Sequence, residues 1–212
     1  MEDVFKNPIT FFSHVVGTAP FYYQSEFLKM GSKRIAIRSG RQVGKTVMAA
    51  VKALYVAYSH PHQQILIVAP TQRQAGILFR NIKTYISDHP EMFGEKLVKN
   101  TQTELWLENG SEIHCLLSGK QSGDNIRGFS PNLIIVDEAA FVAEDAFAAI
   151  EPSLASTQGG LILISTPWGQ QGFFYDAFRP DSEYETMHIK SRDSPLITDD
   201  YLDKMKKNPR MT

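Results

Sequence analysis

The alternation of apolar strands with helical stretches along this chain predicts an α/β fold, a mostly parallel sheet flanked by helices. Three observations carry that reading. The runs RIAIR, QILIVAP, NLIIVDEAA and LILIST hold apolar stretches without polar alternation, as strands buried on both faces do. Helical spacing of apolar residues fills the intervals between them. The first run also opens into SGRQVGKT, a glycine-bearing loop set between a strand and a helix.

Taken in order, Arg34 to Arg38 is a short β-branched strand, and VMAAVKALYVAYS after the loop reads as a buried helix. Gln64 to Pro70 is the second strand. Ala75, Leu78, Phe79, Ile82, Tyr85 and Ile86 recur at helical spacing and predict a helix over 72–87 with one buried face. Leu105–Leu107 and Ile113–Leu117 flank Asn109-Gly110, a hairpin signal because both residues tolerate positive φ. Asn132 to Ala140 is an apolar strand ending in two acids, Ala143 to Leu154 a helix, and Leu161 to Thr166 another apolar strand. After Phe178 the apolar strands stop. The polar end of the chain, with a short helix around Asp199 to Lys207, reads as a connector, so residues 1–180 form the expected domain and 181–212 a linker.

The composition, 212 residues with 42% hydrophobic and 21% charged, suits one folded domain and excludes a disordered chain. The single Cys115 excludes an internal disulfide and a cysteine zinc site, and its apolar strand predicts a buried, inert thiol. No run of about 18 apolar residues is present, and MEDVFKNPIT has no apolar signal core, so a protein that neither spans a membrane nor is exported is expected, in a cytoplasmic setting. Trp106 and Phe79 read as core. His60 and His62, on either side of Pro61, lack the company a metal site needs.

The net charge of -1 conceals an asymmetry. Lys29 to Lys83 holds ten Lys or Arg and no acid, whereas residues 84–212 hold eleven against twenty acids. Such a block suits a surface that meets phosphate, as nucleotide or nucleic acid, although an uneven solvated surface gives the same count.

The chemistry concentrates at two motifs. In Ser39-Gly40-Arg41-Gln42-Val43-Gly44-Lys45-Thr46, backbone N–H groups and the following helix would cradle phosphate oxygens. Lys45 would reach the β and γ phosphates of ATP, and the Thr46 hydroxyl would ligate Mg2+. Ser39 stands where the usual pattern has its first glycine. About ninety residues on, an apolar strand delivers Asp137 to its carboxyl end, where ligands bind in open α/β sheets, and Asp137 could hold the metal through water. Glu138 could polarise a water for attack on the γ-phosphate. Capping of the following helix is the other reading of this acid pair.

The serine-bearing loop, the DE pair after its apolar run, and LILISTPWG together resemble the ATPase domain of tailed-bacteriophage large terminase subunits, the DNA-packaging motors. The likeness covers roughly residues 10–210. It implies a P-loop NTPase of the additional-strand catalytic-glutamate class with a RecA-like sheet. It further implies Mg2+-dependent ATP hydrolysis driving double-stranded viral DNA into a procapsid in the host cell cytoplasm. The implied partners are the portal and the small terminase subunit, with a homo-oligomeric ring when assembled and a monomer for the isolated domain. The family's C-terminal nuclease domain would find no room after residue 212.

By the same resemblance Gln24, in Phe21-Tyr22-Tyr23-Gln24, is the candidate for the adenine edge, whose N6 and N7 an amide can bond together; a solvent-facing glutamine on an N-terminal helix is the alternative. Ser165-Thr166-Pro167 resembles the coupling motif, with hydroxyls that would sense the γ-phosphate, or else forms a simple strand-end turn. Two arginines compete for transition-state charge: Arg41 in the loop, acting in cis, and Arg127 in GDNIRGF, reaching a neighbouring subunit. Either could be a solvated surface residue. Thr71, Gln72 and Arg73 suit DNA contact or a capped helix start equally. Two rival functions share many of these features, a superfamily 2 helicase or DNA-remodelling ATPase fragment and a nucleotide-binding assembly module with little turnover.

Overall fold

The computed structural model describes residues 2–93, 96–118 and 126–206. Among them eight strands form one sheet: β1 Arg34–Ser39, β2 Gln64–Ala69, β3 Leu97–Asn100, β4 Glu104–Leu107, β5 Glu112–Leu117, β6 Leu133–Asp137, β7 Gly160–Ser165 and β8 Glu185–Ile189. Their order across the sheet is β3-β4-β5-β2-β6-β7-β1-β8. From β5 to β8 every pairing is parallel, and only β3-β4-β5 is antiparallel. The helices are α1 Pro8–Val16, α2 Tyr22–Lys29, α3 Lys45–Ser59, α4 Gln72–Asp88, α5 Pro90–Phe93, α6 Glu144–Ser153, α7 Phe173–Asp176 and α8 Asp199–Lys206. The α/β class and the mostly parallel sheet are therefore as the sequence predicts.

Each apolar run serves two cores because successive side chains leave a strand on opposite faces. Ile35, Ile37, Ile65, Ile67, Ile135, Ile162 and Ile164 pack against α1 to α4 on one face. Ala36, Leu66, Val68, Ile134, Val136, Leu161 and Leu163 pack against Ala146, Phe147, Ile150 and Phe174 on the other. No residue of these runs needs to be polar, which is why alternation is missing. Among the described residues no helix is long and apolar enough to cross a membrane.

Local chemistry sets the helix ends. Asn7 accepts from the N–H groups of Ile9 and Thr10 to cap α1, and Gly17 closes it at φ 77°. Thr71 accepts from Gln74 N–H at the start of α4, so the cap reading of that turn is realised. In the hairpin only Gly110 takes positive φ, at 79°; the Asn109 amide instead donates to the carbonyls of Ala57 and His60, pinning the turn to the end of α3.

Several expectations are corrected. The sheet does not end before residue 180: β8, within the expected linker, pairs in parallel with β1 from Ile35↔Glu185 to Ser39↔Ile189. Its sequence ETMHI buries only Ile189, and an edge strand drawing its hydrogen bonds from β1 needs no apolar run. The short edge strand β3 escapes the sequence for the same reason. Trp106 is not core: Leu105 and Leu107 point inward, leaving Trp106 39% exposed on the opposite face with the Lys99 ammonium 4.5 Å from its ring centroid. Residues 123–125 of GDNIRGF and 207–212 lie outside the described residues, so the last helix is seen to Lys206.

Because β1, β2, β6 and β7 run in parallel, Ser39, Ala69, Asp137 and Ser165 end along one edge of the sheet. β7 sits between β6 and β1, so Ser165 stands between the acid pair and the glycine loop.

Candidate nucleotide site

The loop between β1 and α3 is shaped by two left-handed residues, Gln42 at φ 61° and Gly44 at φ 81°. Such turns bring successive N–H groups into one concavity, beside the four unpaired N–H groups that open α3. Gly40 is required for a different reason. A Cβ there would lie 2.1 Å from Ser191 Oγ, in the short 3-10 turn after β8, and the Gly40 N–H donates to Ile189 O at 2.8 Å. Ser39 is the last residue of β1, outside these tight positions, so serine fits where a glycine is usual; its buried Oγ has no hydrogen-bond partner among the described residues.

Helix α2 holds the loop through two consecutive residues. The Tyr23 hydroxyl donates to Val43 O at 3.0 Å, and burial raises that phenol above its usual pKa. Gln24 is only 5% exposed. Its Oε1 accepts from Phe21 N–H at 2.9 Å, and its Nε2 lies 3.0 Å from the point a Cβ on Gly44 would occupy. The solvent-facing reading of Gln24 therefore does not hold: the amide is packed between the start of its own helix and the phosphate loop.

A cavity of about 620 Å³ opens over this loop. Arg41, Gln42, Gly44, Lys45 and Thr46 line it from the loop side, and Glu138 and Thr166 from the strand tips. Val47, Gln74, Phe141 and Leu196 complete the wall. The sequence reading missed these four. Gln74 sits in the first turn of a helix that the periodicity did find, whereas Leu196 is an isolated apolar residue in a polar stretch and gives no signal.

At the tip of β6, Asp137 is buried and Glu138 leaves the strand at φ 52°, ψ 46°. Lys45 Nζ is 3.8 Å from Glu138 Oε1. The Thr166 hydroxyl donates to Glu138 Oε2 at 3.4 Å, and the single Ser165 hydroxyl hydrogen is shared between Oε2 at 3.2 Å and Thr166 O at 2.9 Å. The expected coupling residues thus contact the acid itself. Pro167 does not line this cavity but a neighbouring one, of about 440 Å³, with Arg38, Trp168 and Phe173. Neither acid side chain caps a helix: Glu138 makes no side-chain cap bond, and α6 starts later, at Glu144.

Burial, then the charge of Glu138, pushes the Asp137 carboxyl up to about 6; Lys45 and the Glu138 N–H offset part of that rise. Asp137 does not itself line the cavity but is buried next to Glu138, which lines it with Thr46; carboxylate and hydroxyl oxygens are the donors a hard divalent cation takes. Thr46 and Asp137 fit Mg2+ on this ground.

The two arginines are separated. Arg41 lines the cavity; Arg127 lines a different hollow with Phe129, Ser130, Ala149, Pro152 and Ser153, beyond the far end of β6. On the other side of α4, a groove of about 430 Å³ is lined by Gln72, Arg80, Lys83, Gln102 and Thr103, with no carboxylate among the described residues of its wall. Cys115 lies in that wall, its thiol pushed up to about 12 by burial, in keeping with an inert cysteine.

The large terminase subunit of Thermus phage G20c is 30% identical over 182 residues, covering 79% of this chain and 37% of its own length. This chain thus spans well under half the length of that relative. The Thermus phage P74-26 large terminase ATPase domain superposes with a TM-score of 0.81 at 26% identity, over 96% of this chain and 94% of that one. The large terminase of bacteriophage HK97 shares the fold at a TM-score of 0.64 and 22% identity, over 76% of this chain and 37% of its own. The family described as terminase large subunit, T4likevirus-type, N-terminal, matches residues 37–210, from the end of β1 past the last described helix, and this chain belongs to it.

Proposed function

We propose that this chain is a Mg2+-dependent ATPase whose turnover drives double-stranded viral DNA into a procapsid. The observation that carries the reading is the convergence of Lys45, Thr46 and Glu138 on one cavity at the strand tips. The loop N–H groups and Lys45 bind the β and γ phosphates, and Thr46 and Asp137 hold the magnesium. When bound, the metal neutralises phosphate charge. Glu138 accepts the proton of an attacking water and lies at the cavity wall with one carboxylate oxygen toward Lys45. Gln24 reads the adenine edge or, given its burial, holds Gly44 in place. The relative from P74-26 is described as an ATPase domain, which supports hydrolysis here.

The groove beside α4 is the proposed DNA surface: Arg80 and Lys83 offer positive charge, Gln72 and Thr103 offer donors, and the whole block from Lys29 to Lys83 carries no acid. Family membership supports a ring of subunits at a portal, with a small terminase subunit, in the host cytoplasm. A DNA-remodelling ATPase fragment uses the same site and differs in its product, moved DNA outside any capsid.

The test is equilibrium binding of Mg·ATP together with steady-state hydrolysis. Lys45→Ala is expected to lose nucleotide binding. Wild-type protein that binds no ATP, or a Lys45→Ala protein that binds it normally, refutes the site. For the groove, duplex binding should weaken steeply with salt through counterion release, and charge reversal at Arg73, Arg80 and Lys83 should reduce it. Salt-insensitive binding would remove DNA from this face.

A further inference from the structure

The carboxylate of Glu138 is held unequally at its two oxygens. Oε2 lies within hydrogen-bond reach of two hydroxyls, Ser165 at 3.2 Å and Thr166 at 3.4 Å, whereas Oε1 faces Lys45 at 3.8 Å. Both hydroxyls come from the end of β7, which is paired to β6 through Asp137↔Ile164 and to β1 through Arg38↔Ser165. Ser165 is fully buried at the end of β7, so its oxygen is held in place by the sheet. It has one hydrogen and two acceptors within reach, Glu138 Oε2 and its neighbour's carbonyl, Thr166 O, at 2.9 Å. Glu138 itself leaves the strand in a left-handed conformation, at the start of the short 3-10 turn Ala139–Phe141.

We propose that Ser165 and Thr166 are positioning residues for Glu138, anchoring Oε2 so that Oε1 is the oxygen presented to the water. This rests on the ATPase reading above and departs from phosphate sensing, since hydroxyl hydrogens given to the carboxylate are not available to the γ-phosphate. Lys45 is the group both demands share. Phosphate bound over the loop competes with Oε1 for the ammonium, and the two hydroxyls then keep the carboxylate aimed. Because Ser165 has Thr166 O as a second acceptor, any movement of Glu138 shifts a hydrogen bond directly into the chain leading to Pro167 and Trp168.

The experiment is a kinetic cycle on the wild-type protein, Ser165→Ala/Thr166→Val, Glu138→Gln, and the triple variant, each with its ATP affinity measured by equilibrium binding. Loss of hydrogen bonds to a charged group should lower kcat about 10- to 100-fold while affinity stays within a few-fold. In the Glu138→Gln background the same two substitutions should cost almost nothing further, because they act through the carboxylate. Ser165→Thr and Thr166→Ser, which keep the donors, should restore most of the rate, and each single truncation reads the same effect if the double variant folds poorly. A drop in affinity with kcat unchanged, an equal loss in the Glu138→Gln background, or no rescue by the donor-keeping variants would overturn the proposal. Normal turnover by Glu138→Gln alone would overturn the ATPase reading of the site instead, and the two failures are thus told apart.

Discussion

The phosphate loop and the acid pair face each other across one cavity, yet they are held by different kinds of contact. Gly40 donates to Ile189 O, Val43 O accepts from Tyr23, and Gly44 abuts Gln24. These contacts fall on the backbone of the loop and come from α2 and β8. Glu138 is held by Lys45, Ser165 and Thr166, of which Lys45 and Thr166 also line the cavity. The loop is therefore a fixed cradle, and the acid pair a set of exchangeable charge contacts. Binding should depend on the first and chemistry on the second.

The largest expected effect lies outside both regions. Arg127 lines a different hollow from the nucleotide cavity of its own subunit, and if it serves a neighbour's γ-phosphate, Arg127→Ala should lower assembled turnover by about 10³ or more while Arg41→Ala has the smaller effect. Mixing inactive Arg127→Ala with inactive Glu138→Gln should restore some hydrolysis. A mixture that stays inactive where wild type is assembled and active would return the role to Arg41 in cis.

Asp137 gives an intermediate effect. Its folded pKa of about 6 lies above the unfolded value of about 3.9. The stabilisation of its neutral form is thus fully present below pH 4 and is lost as pH rises through 6. At neutral pH the ionised group costs on the order of 2–3 kcal/mol. Asp137→Asn should consequently raise the Tm of the protein without metal at pH 7.5, gain little at pH 4, and lower Mg2+-dependent turnover by less than the loss of Arg127 does. A lower Tm at pH 7.5 would mean that Lys45 and the Glu138 N–H outweigh burial.

Tyr23→Phe gives the smallest. Losing the bond to Val43 O should cost about 1 kcal/mol, a Tm decrease of roughly 2–4 °C, with ATP affinity reduced a few-fold and kcat hardly changed. An unchanged affinity would show that the loop keeps its shape without this bond from α2.

The sequence made the central strands legible because burial on both faces forces unbroken apolar runs, as in Ile65–Ala69 and Leu133–Val136. It hid β3 and β8, whose edge positions relax that demand, and misjudged Trp106, since a large aromatic in a four-residue strand can face either way. In the site, Lys45, Thr46 and Glu138 converge as the motifs implied. What could not be read was contact between segments distant in the chain: Ser191 against Gly40, or Leu196 at the cavity wall, about 150 residues from the loop. The partners of Ser165 and Thr166 were equally invisible, because a hydroxyl at a strand end can serve ligand, turn or neighbouring acid, and only the order of β6, β7 and β1 selects the acid.

The division between cradle and chemistry meets its most direct test in Glu138→Gln, with ATP binding and ATP hydrolysis measured on the same preparation. The expected result is a binding isotherm within a few-fold of wild type and turnover lowered by on the order of a hundredfold or more, the loss of a positioned base. Near-normal turnover, or affinity lost together with rate, would contradict it.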